Sequence, residues 1–266
     1  MKTIYTILFL GLSITLVSAQ MTPEERLEKS PRHHEWKDVK YGDRVVRTFV
    51  VYPEVSEAAP AIIVIHENRG LNDWARGFAD QVAEAGYIAV APDLLWGAGV
   101  EGAGTASFES SDDARNAIYE LDPDQVTADL NAVADYAKEI AAANGKVAVI
   151  GFCWGGSQSF RFATNTDQIE AAFVCYGTAP KEAEDLSRID VPVYGFYGGN
   201  DNRVNATIPD TEAAMDKLGK VYEPVVYDGA GHGFFRAGES ADASEDNKEA
   251  RDAGWERLNA LLAKID

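Results

Sequence analysis

A mostly parallel β-sheet covered by helices on both faces is the α/β fold class that this 266-residue sequence predicts. Three observations carry that expectation. Short, solidly apolar runs such as Ala61–His66 recur along the chain, too uniform for strands with one wet face. Stretches of helical periodicity alternate with them, as in a sheet whose parallel strands need crossover helices. The residues able to do chemistry fall just after the apolar runs, where the loops of such a sheet collect.

In chain order, a polar lead-in (Met21 to Lys40) comes before Arg44–Tyr52, whose β-branched and aromatic residues read as a strand. Ala61–His66 is a strand buried on both faces, and Asp73–Ala85 a helix stopped by Gly86. Tyr87–Ala91 is a strand ended by Pro92. Leu94–Ser111, with four glycines, reads as a long loop over one end of the sheet. Pro123–Ala143 has helical periodicity, with Gly145 as its stop. Strand Lys146–Ile150, helix Gly155–Ala163, strands Ala171–Tyr176 and Val191–Tyr197, helix Thr207–Leu218 and strand Tyr222–Tyr227 follow, and a helix within Ala241–Ile265 closes the chain. The domain reading is therefore a leader over 1–19, a lead-in over 20–43 and one α/β domain over 44–266.

The leader is distinct in composition. Lys2 is its only charge, Ile4 to Val17 is almost continuously apolar, and Val17-Ser18-Ala19 places small residues where a signal peptidase needs them. The apolar run falls short of the roughly 20 residues a spanning helix requires, so export with cleavage after Ala19, to the periplasm or beyond, is the expectation. No other segment is long and apolar enough to span a bilayer. The chain is 46% hydrophobic and 25% charged, a globular composition. Its formal charge of −19 becomes −20 once Lys2 is removed, which disfavours nucleic acid and anionic lipid as partners. Two cysteines, Cys153 and Cys175, are too few for a disulfide scaffold, although a bond between them is open at this level.

Ile150-Gly151-Phe152-Cys153-Trp154-Gly155-Gly156 lies between a strand and a helix and has the nucleophile-elbow pattern, with cysteine in the nucleophile's position. The glycines two before and two after fit a turn too tight for neighbouring side chains. The following helix N-terminus favours a thiolate. Of the four histidines, His33 and His34 sit in the polar lead-in and read as solvated, and His66 ends a buried strand, where a structural role is at least as good a reading as a catalytic one. His232, in the glycine-rich segment after the last strand, completes the order nucleophile, acid, base. Asp201, in Tyr197-Gly-Gly-Asn-Asp201, supplies the acid, with turn-capping as its plainer alternative. Cys153 would then attack a carbonyl, His232 would handle the proton and Asp201 would hold the ring. The N–H of Trp154 and one from the loop after Ile65 would form the oxyanion hole.

These motifs resemble the dienelactone hydrolase family of α/β-hydrolases (carboxymethylenebutenolidase-like) over about Arg44 to Ala263. The carriers are His66-Glu-Asn-Arg-Gly-Leu-Asn72, Ala91-Pro-Asp-Leu94, Gly151-Phe-Cys-Trp-Gly-Gly156, Tyr197-Gly-Gly-Asn-Asp201 and Gly229-Ala-Gly-His-Gly-Phe-Phe235. The resemblance implies an α/β-hydrolase fold and a carboxylic ester hydrolase. It implies that Glu67 helps generate the thiolate and that the Asn68 N–H is the second oxyanion donor. It further implies that Arg236, and Arg115 with Tyr119, bind a substrate carboxylate. Plainer readings are a surface Arg236–Glu239 pair, and a solvated helix face for Arg115 and Tyr119. Trp154 and Trp96 line the pocket or fill core, and Cys175 is a packed thiol.

The leading expectation is an exported hydrolase of small esters or lactones working through a cysteinyl acyl-enzyme, without metal or other cofactor. A broad-specificity carboxylesterase, and a non-catalytic exported binding protein that keeps the hydrolase shell, are the alternatives. A monomer without nucleic-acid or membrane partners is the expected unit. The export signal and the His-Glu-Asn-Arg loop set the chain apart from cytoplasmic lactone-degrading members.

Overall fold

The computed structural model describes residues 21–265, and the leader at Met1–Ala19 lies outside them. Helix α1 (Pro23–Lys29) leads into strands β1 (His34–Tyr41), β2 (Arg44–Val51) and β3 (Ala59–Ile65), then α2 (Asp73–Glu84) and β4 (Ile88–Pro92). Helices α3 (Ser111–Glu120) and α4 (Pro123–Glu139) precede β5 (Ala143–Phe152), α5 (Trp154–Ala163) and β6 (Ala172–Cys175). Then come α6 (Ala183–Ser187), β7 (Val193–Gly198), α7 (Asn202–Asn205), α8 (Ile208–Lys217), β8 (Tyr222–Tyr227), α9 (Phe234–Ala237) and α10 (Glu245–Leu262).

The strands form one sheet in the order β1-β2-β4-β3-β5-β6-β7-β8. From β4 to β8 every neighbouring pair is parallel, and β1 and β2 add an antiparallel edge. Alternate residues of β3 show how the faces divide. Ile63 and Ile65 pack with Leu130, Val133 and Phe160 of α4 and α5, whereas Ile62 and Val64 pack with Trp74, Phe78 and Leu258 of α2 and α10. Each of these branched side chains is wholly buried and contributes about 1.5–3 kcal/mol relative to exposure. The continuous apolar pattern of the strand sequences is thus a consequence of two wet-excluded faces.

The polar lead-in is a correction to the sequence reading. His34–Tyr41 pairs along its whole length with β2, making it the edge strand of the same sheet. Its sequence, His-Glu-Trp-Lys-Asp-Val-Lys-Tyr, is polar because an edge strand presents little to the core: only Val39 is fully buried. The segment is also fastened by a buried carboxylate. Asp80 of α2 accepts from the Ser30 hydroxyl (2.6 Å), from Arg32 Nε and Nη2 (3.0 and 2.6 Å) and from His34 Nε2 (2.8 Å). His34, expected to be solvated, is therefore a ligand of this clamp. Burial opposes the Asp80 charge, yet the bonds from Arg32, Ser30 and His34 win and hold its pKa below the usual carboxylate value. That contribution is present above the ordinary carboxylate range and is lost in acid. Asp80→Ala strands the buried end of Arg32 and should cost about 3 kcal/mol, seen as a lower urea midpoint.

Candidate active site

Five strand ends on one edge of the sheet deliver the side chains of interest: β3 leads to His66 and Glu67, β5 to Cys153, β6 to Tyr176, β7 to Asp201 and β8 to His232. The elbow is built as its glycines require. Cys153 has φ 56° and ψ −112°, a conformation an L-residue adopts only when its surroundings enforce it. A Cβ on Gly151 would overlap the Gly155 carbonyl, and one on Gly155 would overlap the His66 carbonyl. Small residues there let α5 start hard against β3 and β5. Cys153 is the N-cap of α5 but makes no capping bond with its side chain, so the thiol remains free for other contacts. The Trp154 N–H is the first of the helix, with no intrahelical carbonyl to bind. Cys175 lies buried on the adjacent strand, and both cysteines are unpaired. Burial pushes the Cys175 thiol pKa well up, as expected of a packed thiol.

His232 reaches the same edge on the β8–α9 loop. The Asn200 N–H donates to the Ala230 carbonyl (2.9 Å), the Asn200 side-chain amide to the Gly229 carbonyl (2.7 Å), and the Gly231 N–H to Asn247 Oδ1 (2.9 Å). The two Asn200 bonds tie the histidine loop to the loop that carries Asp201, and the Asn247 bond ties it to α10. His232 Nδ1 donates to Asp201 Oδ2 at 2.5 Å. Asp201 is buried, and its other oxygen accepts from the Val204 N–H (3.3 Å), so the carboxylate caps α7 and holds the imidazole at once. The turn-capping bond and the bond to the imidazole are thus made by one side chain. With Nδ1 committed, the other ring nitrogen is left to Cys153. The hydrogen bond with Cys153 is the largest cause that lifts the His232 pKa to about 9; burial pulls it down, and Asp201 adds to the rise.

Glu67 is buried, and its Oε2 accepts from Arg236 Nε at 2.8 Å. Arg236 therefore pairs with Glu67 and not with Glu239, which meets Arg251 at 3.0 Å. The turn of α9 brings this about: Phe234 and Phe235 anchor the helix in the core and the next residue points back to the site. Glu67 Oε1 also accepts from the Tyr176 hydroxyl at 3.4 Å. Tyr176 is fully buried, has φ 42°, and sets its ring edge against His232 with centroids 5.0 Å apart. It touches both His232 and Glu67, and the sequence offered no sign of it beyond its place after a strand.

The remaining residues divide. The Asn68 side-chain amide donates to the Tyr119 hydroxyl (3.2 Å), which places Tyr119 beside the Glu67–Asn68 loop although its side chain is 62% exposed. Arg115 is half exposed and lies 3.9 Å from Asp112 on its own helix, so the structure does not bring it to Glu67 or Arg236. Trp154 stacks on His66 at 5.7 Å and packs against Leu95, Ala114 and Ile118, joining the elbow to the loop after β4. His66 is wholly buried: Nδ1 donates to the Glu67 carbonyl (2.8 Å) and Nε2 accepts from the Leu94 N–H (3.3 Å). Burial lowers its pKa, so it is a neutral structural ring. Among the described residues no group of three or more His, Cys, Asp or Glu side chains is gathered as a metal site would need, and no helix is long and apolar enough to cross a membrane.

The dienelactone hydrolase family profile matches residues 46–265. A Saccharolobus solfataricus protein assigned as a carboxymethylenebutenolidase is 29% identical over 255 residues, covering 83% of this chain and 94% of its own. The carboxymethylenebutenolidase of Pseudomonas putida is 29% identical over 191 residues, 68% of this chain and 78% of its own. A crystal structure of a Klebsiella pneumoniae protein assigned as a dienelactone hydrolase superposes with a TM-score of 0.76 at 24% identity, covering 87% of this chain and 98% of the other. A likeness of fold alone extends to an acylaminoacyl peptidase of Pyrococcus horikoshii, with a TM-score of 0.65 at 12% identity, covering 88% of this chain and 42% of the other. The profile covers nearly all of the sheet and every strand end described above: this chain belongs to the dienelactone hydrolase family of carboxylic ester hydrolases.

Proposed function

We propose that the chain hydrolyses small esters or lactones through an acyl-enzyme on Cys153, with His232 as the proton carrier and Asp201 as its orienting partner. The observation that carries this reading is geometric: Cys153 sits at a strained strand-to-helix turn, and His232, held through Nδ1 by Asp201 at 2.5 Å, leaves its other ring nitrogen to the thiol, a bond that also raises the His232 pKa to about 9. Proton transfer from Cys153 to His232 gives the thiolate and the imidazolium. The thiolate attacks the carbonyl carbon, and the imidazolium gives its proton to the departing alkoxide. Acylation then removes the thiolate, and with it the main cause that kept the proton on the ring. His232 becomes free to take a proton from water, which attacks the thioester and releases the acid. Above about pH 9 the ring loses the proton that the leaving group needs, so acylation declines there. The N–H groups of Trp154 and Asn68 are the proposed donors to the oxyanion.

The Glu67–Arg236 pair supports a preference for carboxylated substrates. A carboxylate entering the site competes with Glu67 for the half-exposed Arg236, and Glu67, once released, becomes free to take the Cys153 proton, the role that the family resemblance implies. Tyr119 serves as a rim contact; Arg115 has no geometric support beyond sharing its helix. The leader at Met1–Ala19 supports an exported enzyme. Mass spectrometry of the protein quenched during turnover of an aryl ester should show the acyl mass on the Cys153 peptide. An acyl group found elsewhere, or none under burst conditions, contradicts the proposal. In steady-state assays with carboxylated and uncarboxylated esters, Arg236→Ala should raise KM for the carboxylated ester alone.

A further inference from the structure

Trp36 on the edge strand is 38% exposed, a large apolar ring left at the surface of a strongly acidic protein. Together with Arg47, Trp96, Asp93, Gly104 and Ser107 it lines a cavity of about 450 Å³ between the edge strands and the loop after β4. None of Cys153, His232, Asp201, Glu67 or Arg236 borders this space.

The cavity is built into the loop and does not depend on a ligand for its shape. Asp93 accepts from the Thr105 N–H (2.8 Å), the Thr105 hydroxyl (2.7 Å) and the Leu95 N–H (3.2 Å), and the Ser107 hydroxyl donates to the Gly104 carbonyl (2.7 Å). A Cβ on Gly104 would lie 2.9 Å from the Trp96 ring, so glycine is what lets that indole rest against the loop. A preformed apolar space loses little to ordering when it is filled.

Charge selects among occupants. The guanidinium groups of Arg47 and Arg76 stand 5.5 and 5.9 Å from the Trp36 ring, but Arg47 Nη1 already meets Asp38 at 2.7 Å and Arg76 meets Asp73. With Asp93 in the wall there is no surplus of positive charge for an anion. Among the described residues Arg47 uses Nη1 on Asp38, and its fork carries further N–H donors. We propose that this cavity binds a neutral, planar aromatic molecule carrying a hydroxyl or carbonyl oxygen, its ring against the two indoles and its oxygen toward Arg47. The proposal is independent of the hydrolytic chemistry.

Calorimetric titration of the full-length protein with 2-naphthol tests it, because this probe is neutral at pH 7 and has no ester to cleave. One saturable site with Kd on the order of 0.1 mM is expected from the size of the probe. Affinity should fall at least about tenfold in Trp96→Ala, through loss of the aromatic contact. It should fall equally in Ala106→Trp, which fills the space and decides the matter if Trp96→Ala does not fold. Benzoate and cyclohexanol should bind at least about tenfold more weakly, lacking neutrality or a flat ring. Blocking Cys153 with iodoacetamide should change nothing. Absence of saturable binding, unaltered affinity in Ala106→Trp, equal binding of either control, or loss on alkylation would overturn the assignment.

Discussion

Cys153→Ala is expected to lower kcat/KM for an activated ester by roughly 10⁴-fold or more, the order lost when a nucleophile of a catalytic triad is removed. The substitution leaves the fold's other parts in place. The thiol makes no capping bond to α5, and alanine retains the Cβ that the φ of 56° has to accommodate. Melting should therefore be little changed while turnover collapses to what the oxyanion donors and binding alone supply. Cys153→Ser tests a subtler point: the hydroxyl is smaller and holds its proton far more strongly, so it should recover little of the loss. Residual activity of Cys153→Ala above about one tenth of wild type would remove the cysteine from the chemistry.

The second large effect is steric and lies two residues away. Gly155→Ala places a Cβ 2.6 Å from the Ile65 carbonyl oxygen and 2.9 Å from Ile65 Cγ2, besides overlapping the His66 carbonyl. All but one of these neighbours are backbone of the central strand, which cannot swing aside as a side chain would. Either α5 backs away from β3 or the strand end shifts, and both move the Trp154 N–H and Cys153 together. An overpacked site of this kind costs about 3 kcal/mol. We expect a lower melting temperature and a loss of activity exceeding what the destabilisation alone explains. Gly145→Ala is the control. Its φ is 86°, but nothing lies within 4 Å of the added carbon, so only backbone strain of about 1 kcal/mol is expected and activity should survive.

The residues proposed to carry the chemistry were legible because each stands at a place where local sequence and topology speak together. Cys153 has glycines that only a strained turn between strand and helix requires. His232 and Asp201 follow apolar strands in the order that this sheet brings to one edge. What stayed hidden has a physical reason in each case. The Arg236–Glu67 pair joins residues 169 apart, and Arg236 with Glu239 matched the same local spacing. Tyr176 carries no pattern of its own; its position between His232 and Glu67 exists only after β6 is laid beside β5. Helices α6, α7 and α9 have four or five residues each, too few for a periodicity to show. Strand β1 was masked by an edge-strand composition, and its anchor, Asp80, read as one acidic residue in a helix.

The titration of His232 measures the sulfur–imidazole coupling directly. With four histidines in the chain, the ring signals of wild type and Cys153→Ala can be followed by NMR across pH 5 to 10.5. The wild-type His232 ring should titrate near pH 9, and in Cys153→Ala its midpoint should fall well toward the ordinary imidazole value of about 6.5, with Asp201 holding it somewhat above. The same midpoint in both proteins would mean that the imidazole does not feel the thiol, and that Cys153 and His232 do not work as a pair.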